Sequence, residues 1–343
     1  MGLQAAAGEV EFGQSRKGER MRVLRGHTRD VRAVAYAPDG RLISGGGADR
    51  TLRVWDVATG ACAASVKAAG PVYAVAAAPA GDLIAYAGRH RSGAATNYVH
   101  FCRPDGTHHN SWDLKVEDTV YDRVPGGPFG YQYEQVHRVV ARTVWSVAYS
   151  ADGKLLAAAC RVPGGGNIPD GGGGRFWRPG TADSFALDAR AYAVAFAPDG
   201  HRFAVARRYT VEFFAEPGGP VAAAYTFTVM WPPAVAFVPG ADAALVACGA
   251  FVAFVNPARS EKKPPRVKTG IRTVAAIAVS PDGRTALLGG RPGTIEEYDV
   301  ATRERRTTYD FGIGGVHSLA YAPDGLTFAA AGDAGLVVCD AAG

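Results

Sequence analysis

The chain is short of the features that mark several broad classes of protein. Only five of its 343 residues are cysteine: Cys62, Cys102, Cys160, Cys248 and Cys339. The number is odd, and no Cys-x-x-Cys spacing occurs. Each lies in or beside an apolar run, so buried reduced thiols are expected, with neither a disulfide framework nor a thiolate metal centre. No apolar run reaches the roughly 18 residues that a membrane helix needs. The opening stretch, residues 1–13, has no charged segment followed by an apolar one, which argues against a secretory leader. Ala6 stands where a myristoylation signal needs Ser or Thr. A cytoplasmic protein without membrane contact is therefore expected. The net charge of +5 is too small an excess to argue for nucleic acid.

Several local patterns also fail as chemical sites. The Gly-rich stretch 164–174 is followed by no Gly-Lys-Ser/Thr, so it is no phosphate loop. No Gly-x-Ser-x-Gly elbow occurs. His108 and His109 are adjacent, which suits solvated turn positions better than a metal site. The short run Lys262-Lys263-Pro264-Pro265-Arg266 is too small to suggest nucleic-acid binding. No metal ligand set and no cofactor are expected.

What the chain does have is turn-formers, with 44 Gly and 21 Pro, together with a hydrophobic fraction of 48%. They recur in a pattern. Pro38-Asp39-Gly40, Pro198-Asp199-Gly200, Pro281-Asp282-Gly283 and Pro323-Asp324-Gly325 each follow a short apolar run. Degenerate copies stand at Pro79-Ala80-Gly81, Ala151-Asp152-Gly153 and Pro239-Gly240-Ala241. Five of the six spacings between the seven anchors lie between 41 and 47 residues, and the sixth, from Pro79 to Ala151, is 72. The preceding runs share a texture: VRAVAYA, VYAVAAA, VWSVAYS, YAVAFA, PAVAFV, AAIAVS, HSLAYA. A second run follows each anchor and a third carries an aromatic or Asp. Strands of alternating small and bulky apolar residues suit sheets crowded round an axis. The pattern predicts an all-β chain of seven like units.

The segment RGHTRDVRAVAYAPDGRLISGGGADRTLRVWDVATG, with Gly26-His27 and Trp55-Asp56, closely resembles a WD40 repeat. The resemblance implies a seven-bladed β-propeller of four-stranded antiparallel sheets. It also implies a buried hydrogen-bond chain through His27, Ser44, Asp49 and Trp55. These four are structural, because a His and an Asp in a β core are costly unless every polar atom is partnered. The last repeat stops after its third strand. Residues 20–24 precede Gly26-His27 where a fourth strand should lie, and can complete the last blade and close the ring. This reading divides the chain into an extension, residues 1–19, and a single propeller, residues 20–343.

Three segments break the rhythm: residues 88–97, 116–141 and 161–174. The resemblance assigns all three to the top face of neighbouring blades 2 and 3. Long loops on a rigid scaffold commonly carry binding. The middle one contributes Tyr121, Phe129, Tyr131, Tyr133 and His137, whose alternative role is to pack on the blade beneath. Arginines collect on the same face. Arg29, Arg142, Arg190 and Arg272 directly precede first strands, while Arg89, Arg161, Arg207 and Arg291 directly follow second strands. Singly they serve solubility. As a ring they favour carboxylate or phosphate groups.

The resemblance therefore implies a non-catalytic scaffold that takes a protein or peptide, preferably acidic, on its top face. A monomer is expected, without nucleic acid. The competing reading is a propeller enzyme, such as a lactonase-like hydrolase or a lyase, working in the channel mouth. That would need His, Asp, Glu or Asn converging from several blades, where Arg, Ala and Gly predominate. A regulatory subunit is a third reading, but no effector segment supports it.

Overall fold

Each repeat forms a meander of short strands because every apolar run ends in a turn that the backbone enforces. Gly40, Gly200, Gly283 and Gly325 all adopt positive φ, between 73° and 84°, a conformation that a Cβ disfavours. The same bond closes each turn. Gly40 N–H donates to the Ala37 carbonyl, Gly200 to Ala197, Gly283 to Ser280 and Gly325 to Ala322. The degenerate anchors do likewise, through Gly81 to Ala78, Gly153 to Ser150 and Ala241 to Val238. The recurring Asp carboxylates accept backbone N–H groups two residues on, as Asp39 does from Arg41 and Asp282 from Arg284. They are turn-formers.

The computed structural model describes residues 10–14, 20–89, 98–113, 117–125, 131–139, 143–161, 172–179, 184–188, 191–207, 209–227 and 234–341. They form seven antiparallel blades and one separate two-stranded ribbon. The first strands of blades 1 to 7 are Val31–Tyr36, Val72–Ala77, Thr143–Tyr149, Ala193–Phe196, Val235–Phe237, Thr273–Val279 and Val316–Tyr321. Each touches its neighbour in the next blade, and that of blade 7 touches that of blade 1, so the ring is closed. Burial peaks at the second strand and falls towards the rim, the innermost strand of blade 1, Val31–Tyr36, being only partly buried. In blade 1 the second strand, Leu42–Gly46, is buried throughout, whereas the outermost, Cys62–Lys67, alternates buried and exposed residues.

The apolar core is divided into seven layers, one between each pair of adjacent blades. Small residues let the blades approach. A Cβ on Gly45 would lie 2.6 Å from Val72 Cγ1 of the next blade, and one on Gly289 would lie 2.6 Å from Val316 Cγ1. None of the five cysteines forms a disulfide, and all are buried in these layers.

Arg20–Leu24 closes the ring as expected. It pairs antiparallel with Gly335–Asp340, with Met21 opposite Cys339 and Val23 opposite Val337. Leu24 is buried with Trp55, Leu336 and Val338 in the layer between blades 7 and 1. Val10–Gln14 pairs with Arg20–Leu24 in turn, so blade 7 has five strands where four were expected. A second difference concerns residues 116–141, expected as an irregular excursion. Glu117–Pro125 and Tyr131–Val139 instead pair through nine registered residues as a β-ribbon. Thr119, Val120, Tyr121, Val124, Tyr131, Tyr133 and Val136 supply the β-branched and aromatic content that favours strand pairing. His108 and His109, expected in a turn, begin the outer strand His108–Asp113 of blade 2.

The predicted chain of buried polar groups is present in blade 1. The Asp49 carboxylate lies 2.7 Å from His27 Nδ1, and His27 Nε2 lies 2.7 Å from Ser44 Oγ. Trp55 Nε1–H donates to the same Ser44 Oγ at 2.7 Å. With Asp49 ionised, every proton has one consistent place: His27 donates from Nδ1, and Ser44 donates to Nε2 while accepting from Trp55. Burial raises the Asp49 pKa, but its contacts with His27 and with the Thr51 hydroxyl and N–H outweigh it, holding it at about 2.

Deleting residues 1–24 removes the closing strand and bares the layer against Trp55, so the thermal midpoint should fall by roughly 10 °C or more; an unchanged midpoint would refute the closing role. Ser44→Ala orphans both Trp55 N–H and His27 Nε2, at about 1–3 kcal/mol each, measurable by urea denaturation. The folded Asp49 value lies below the ordinary 3.8. Its contribution is therefore complete above about pH 3.8 and lost as pH falls towards 2, and Asp49→Asn should flatten that part of the acid limb.

Candidate functional site

The first strands begin at the end of the disc opposite the Pro-Asp-Gly turns, here called the upper end. Five of them carry a register shift at the same point, which leaves Arg32, Tyr73, Trp145, Ala275 and His317 as bulged residues. A bulge frees one residue from the ladder and re-aims its side chain. Because blades 7, 1, 2 and 3 are consecutive round the ring, His317, Arg32, Tyr73 and Trp145 form a continuous arc at the upper mouth.

The arc has two halves. Tyr73 and Trp145, from adjacent blades, stack with centroids 5.2 Å apart and planes 7° from parallel. Trp145 is nevertheless 45% exposed, while Trp55 is fully buried. In the other half His317 Nε2 lies 2.7 Å from Asp333 Oδ1, and Asp333 Oδ2 accepts Gly315 N–H at 2.9 Å. Arg32 Nε donates to Asp30 Oδ2, whose other oxygen accepts Ala48 N–H at 3.1 Å. Burial, with the nearby Arg32 charge, pushes the His317 pKa below its usual value despite Asp333 and Asp30. Asp333 is held below the carboxylate range, its burial outweighed by His317, the Gly315 N–H and Arg32. Two further exposed aromatics, Tyr209 and Phe251, each 39% exposed, lie at the upper ends of blades 4 and 5.

The arginines named from the sequence divide three ways. Arg29, Arg89, Arg272 and Arg291 are exposed at the upper end, and none has a carboxylate partner among the described residues. Arg207 is half-buried, with Nε and Nη2 2.9 and 2.8 Å from Glu212 Oε2, so its charge is already taken up within blade 4. Arg161 pairs through its backbone with Thr143 at the upper end of blade 3. Its side chain lies outside the described residues, as do Arg142, Arg190 and Phe129. Tyr121, Tyr131, Tyr133 and His137 lie on the strands of the ribbon, their side chains likewise outside the description. Residues 90–97 and 162–171 are also outside it, but the strands flanking them, Ile84–Gly88 and Leu156–Arg161, both end at the upper end. Among the described residues no group of three or more His, Cys, Asp or Glu is placed to hold a metal.

The arc has a signal in the amino-acid sequence. In VRAVAYA, VYAVAAA, VWSVAYS and VHSLAYA the second residue is large or charged amid small neighbours. Those positions become Arg32, Tyr73, Trp145 and His317.

Comparison with known proteins agrees with this geometry. Residues 18–56, which hold the whole His27–Ser44–Asp49–Trp55 chain, match the family model described as WD domain, G-beta repeat. Among curated proteins, Protein Mut11 of Chlamydomonas reinhardtii is 58% identical over 38 residues, 11% of this chain and 10% of that one. The Ribosome biogenesis protein BOP1 homolog of Caenorhabditis elegans is 39% identical over 72 residues, 20% of this chain and 11% of that one. An uncharacterized WD repeat-containing protein of Synechocystis, sll1491, is 44% identical over 57 residues, 16% of each chain. The matches thus span between 10% and 16% of the length of these relatives. Among solved structures, the WD40 beta propeller domain of Doa1 superposes with a TM-score of 0.70 at 12% identity, covering 98% of both chains. Residues 18–56 are thus similar to a WD repeat of the G-beta type, and the chain as a whole has the fold of a WD40 propeller.

Proposed function

We propose that this protein is a non-catalytic scaffold that binds another protein, or a peptide segment of one, across the upper mouth of its propeller. The observation that carries the reading is the Tyr73–Trp145 platform: a tryptophan 45% exposed, held rigid by stacking and by its bulge. An aromatic that is both pre-positioned and exposed makes a strong contact at little entropic cost. The propeller fold, used widely as a platform for other proteins, supports it. So do the unpaired arginines at the same end, which favour an acidic partner. The proposal takes the protein to be cytoplasmic and monomeric on its own, and to need no cofactor.

The enzyme reading finds one point in its favour, the His317–Asp333 pair. Both oxygens of Asp333 are engaged, by His317 and by Gly315 N–H. The second ring nitrogen of His317 contacts no hydroxyl or thiol among the described residues. The pair reads more simply as a cross-tie between the first strand of blade 7 and its upper loop.

Wild-type protein, Trp145→Ala, the triple variant Arg89/Arg142/Arg161→Ala and Leu326→Ala can be compared as baits in cell lysate with quantitative mass spectrometry. A partner should be captured by the wild type and reduced about tenfold or more by the first two variants. Leu326, 69% exposed at the opposite end, should be replaceable without loss. Equal retention by all four proteins would place binding elsewhere.

A further inference from the structure

At the lower end of the disc, the end that carries the Pro-Asp-Gly turns, neighbouring blades are tied by a recurring polar contact. Tyr36 Oη lies 3.4 Å from Thr327 Oγ1 across the boundary between blades 7 and 1, and Tyr321 Oη lies 3.0 Å from Thr285 Oγ1 across that between blades 6 and 7. Each tyrosine ends a first strand, and each threonine stands two residues after the glycine of the preceding blade's turn. Tyr149 holds the tyrosine's place in blade 3, but Leu83 holds the threonine's place in blade 2. The Tyr149 hydroxyl consequently has no hydrogen bond among the described residues.

A cavity of about 320 Å³ opens at this boundary between blades 2 and 3. Phe101, Trp112 and Tyr149 line it, with Leu83, Pro179 and the exposed His109 and Asn110. Trp112 is fixed from two sides, its ring centroid 4.5 Å from that of Phe101 and 5.7 Å from that of Trp177. No Lys, Arg, Asp or Glu lines the cavity among the described residues. Lower clefts elsewhere differ: Arg22, Asp39 and Asp324 line the one between blades 7 and 1, and Arg202, Asp199 and Asp242 the one between blades 4 and 5. One carboxylate stands near the aromatic cavity. Asp82, exposed and next to Leu83 in the chain, forms no ion pair among the described residues. Burial, and then the charge of Asp82, push the Tyr149 pKa above its ordinary value, with no cation offsetting them.

We infer that this cavity binds a small alkylammonium ion, its methylated nitrogen held against the rings of Trp112 and Tyr149 in the field of Asp82. The faces of aromatic rings attract a cation, indole most strongly. A neutral apolar guest would gain nothing from Asp82. A primary ammonium would lose its water and find too few acceptors among these walls, whereas a methylated one presents C–H groups and needs none. The site lies at the opposite end from the upper mouth and does not depend on the reading given for it.

The test titrates the full chain with tetramethylammonium, with choline, and with choline's uncharged analogue, in which a tert-butyl group replaces the trimethylammonium. Binding is followed by ligand-observed NMR. Both cations should bind saturably, and the uncharged analogue at least about tenfold more weakly. Trp112→Leu keeps an apolar side chain against Phe101 but removes the indole face, and should weaken choline binding about tenfold. Asp82→Asn should weaken it about threefold and leave the uncharged analogue unaffected. Unchanged thermal midpoints separate these losses from a loss of fold; if Trp112→Leu lowers the midpoint, the exposed Asp82→Asn decides. A trimethyl-lysine peptide bound more tightly than choline would assign the cation to a partner chain, and choline bound as tightly or more so would assign it to a free small molecule; either outcome upholds the inference. Equal binding of choline and its uncharged analogue would overturn the cationic chemistry. No saturable binding, or choline binding unchanged in both variants, would overturn the site.

Discussion

The structure depends on packing between blades far more than on packing within them. Each sheet has two apolar faces and no core of its own, and every buried layer is shared by two neighbours. A blade facing water on one side would expose a full apolar face, so no subset of blades is self-sufficient. The close approach demanded by these layers explains the small residues near the axis, where Gly45 meets Val72 and Gly289 meets Val316. It also explains why five cysteines are tolerated without forming disulfides: each fills a small site in a layer as a compact apolar group.

The same crowding shapes the upper mouth. An inner strand that must be small-sided along most of its length has little room for recognition chemistry. The bulge solves this locally. By slipping one residue out of register at the top of the strand, it frees a single position from the packing requirement while leaving the rest of the strand in place. That is why Arg32, Tyr73, Trp145 and His317 can be large or charged where the residues below them are Ala, Val or Ser. The proposed recognition surface sits on the innermost strands of the ring, not on its longest loops.

How much of this could be read from the amino acids differs by level. The seven units were legible because each depends on a turn whose glycine and proline requirements are local. The closing strand was legible because residues 20–24 precede Gly26-His27, where a fourth strand should lie. The buried chain in blade 1 was legible from residue types. The ribbon was missed because the Gly and Pro residues at 125–130 suggested a loop, although the flanking Thr, Val and Tyr content is that of paired strands. The arc was missed because a bulge shifts register without disturbing the apolar pattern, so Trp145 reads as one more bulky residue in VWSVAYS. Arg207 was read as available, yet Glu212 stands across the short hairpin that follows it, opposite Val205. A cross-strand pairing of that kind is visible only once the hairpin's register is known.

The pairing of Arg20–Leu24 with Gly335–Asp340 joins segments separated by most of the chain. On a ribosome, the early strand emerges long before its partner exists, and the interval is on the order of tens of seconds at ordinary elongation rates. During that time the Trp55 side of blade 1 has nothing to pack against, and Leu24 has no sheet to join. Blades 1 to 6 can stack in order as they are made, but the first must wait with an open apolar flank for the seventh. A nascent chain of this design presents a long-lived hydrophobic surface on blade 1, the kind of surface that chaperones hold. Closure of its ring is set by the synthesis of Gly335–Asp340, not by the speed of any local element.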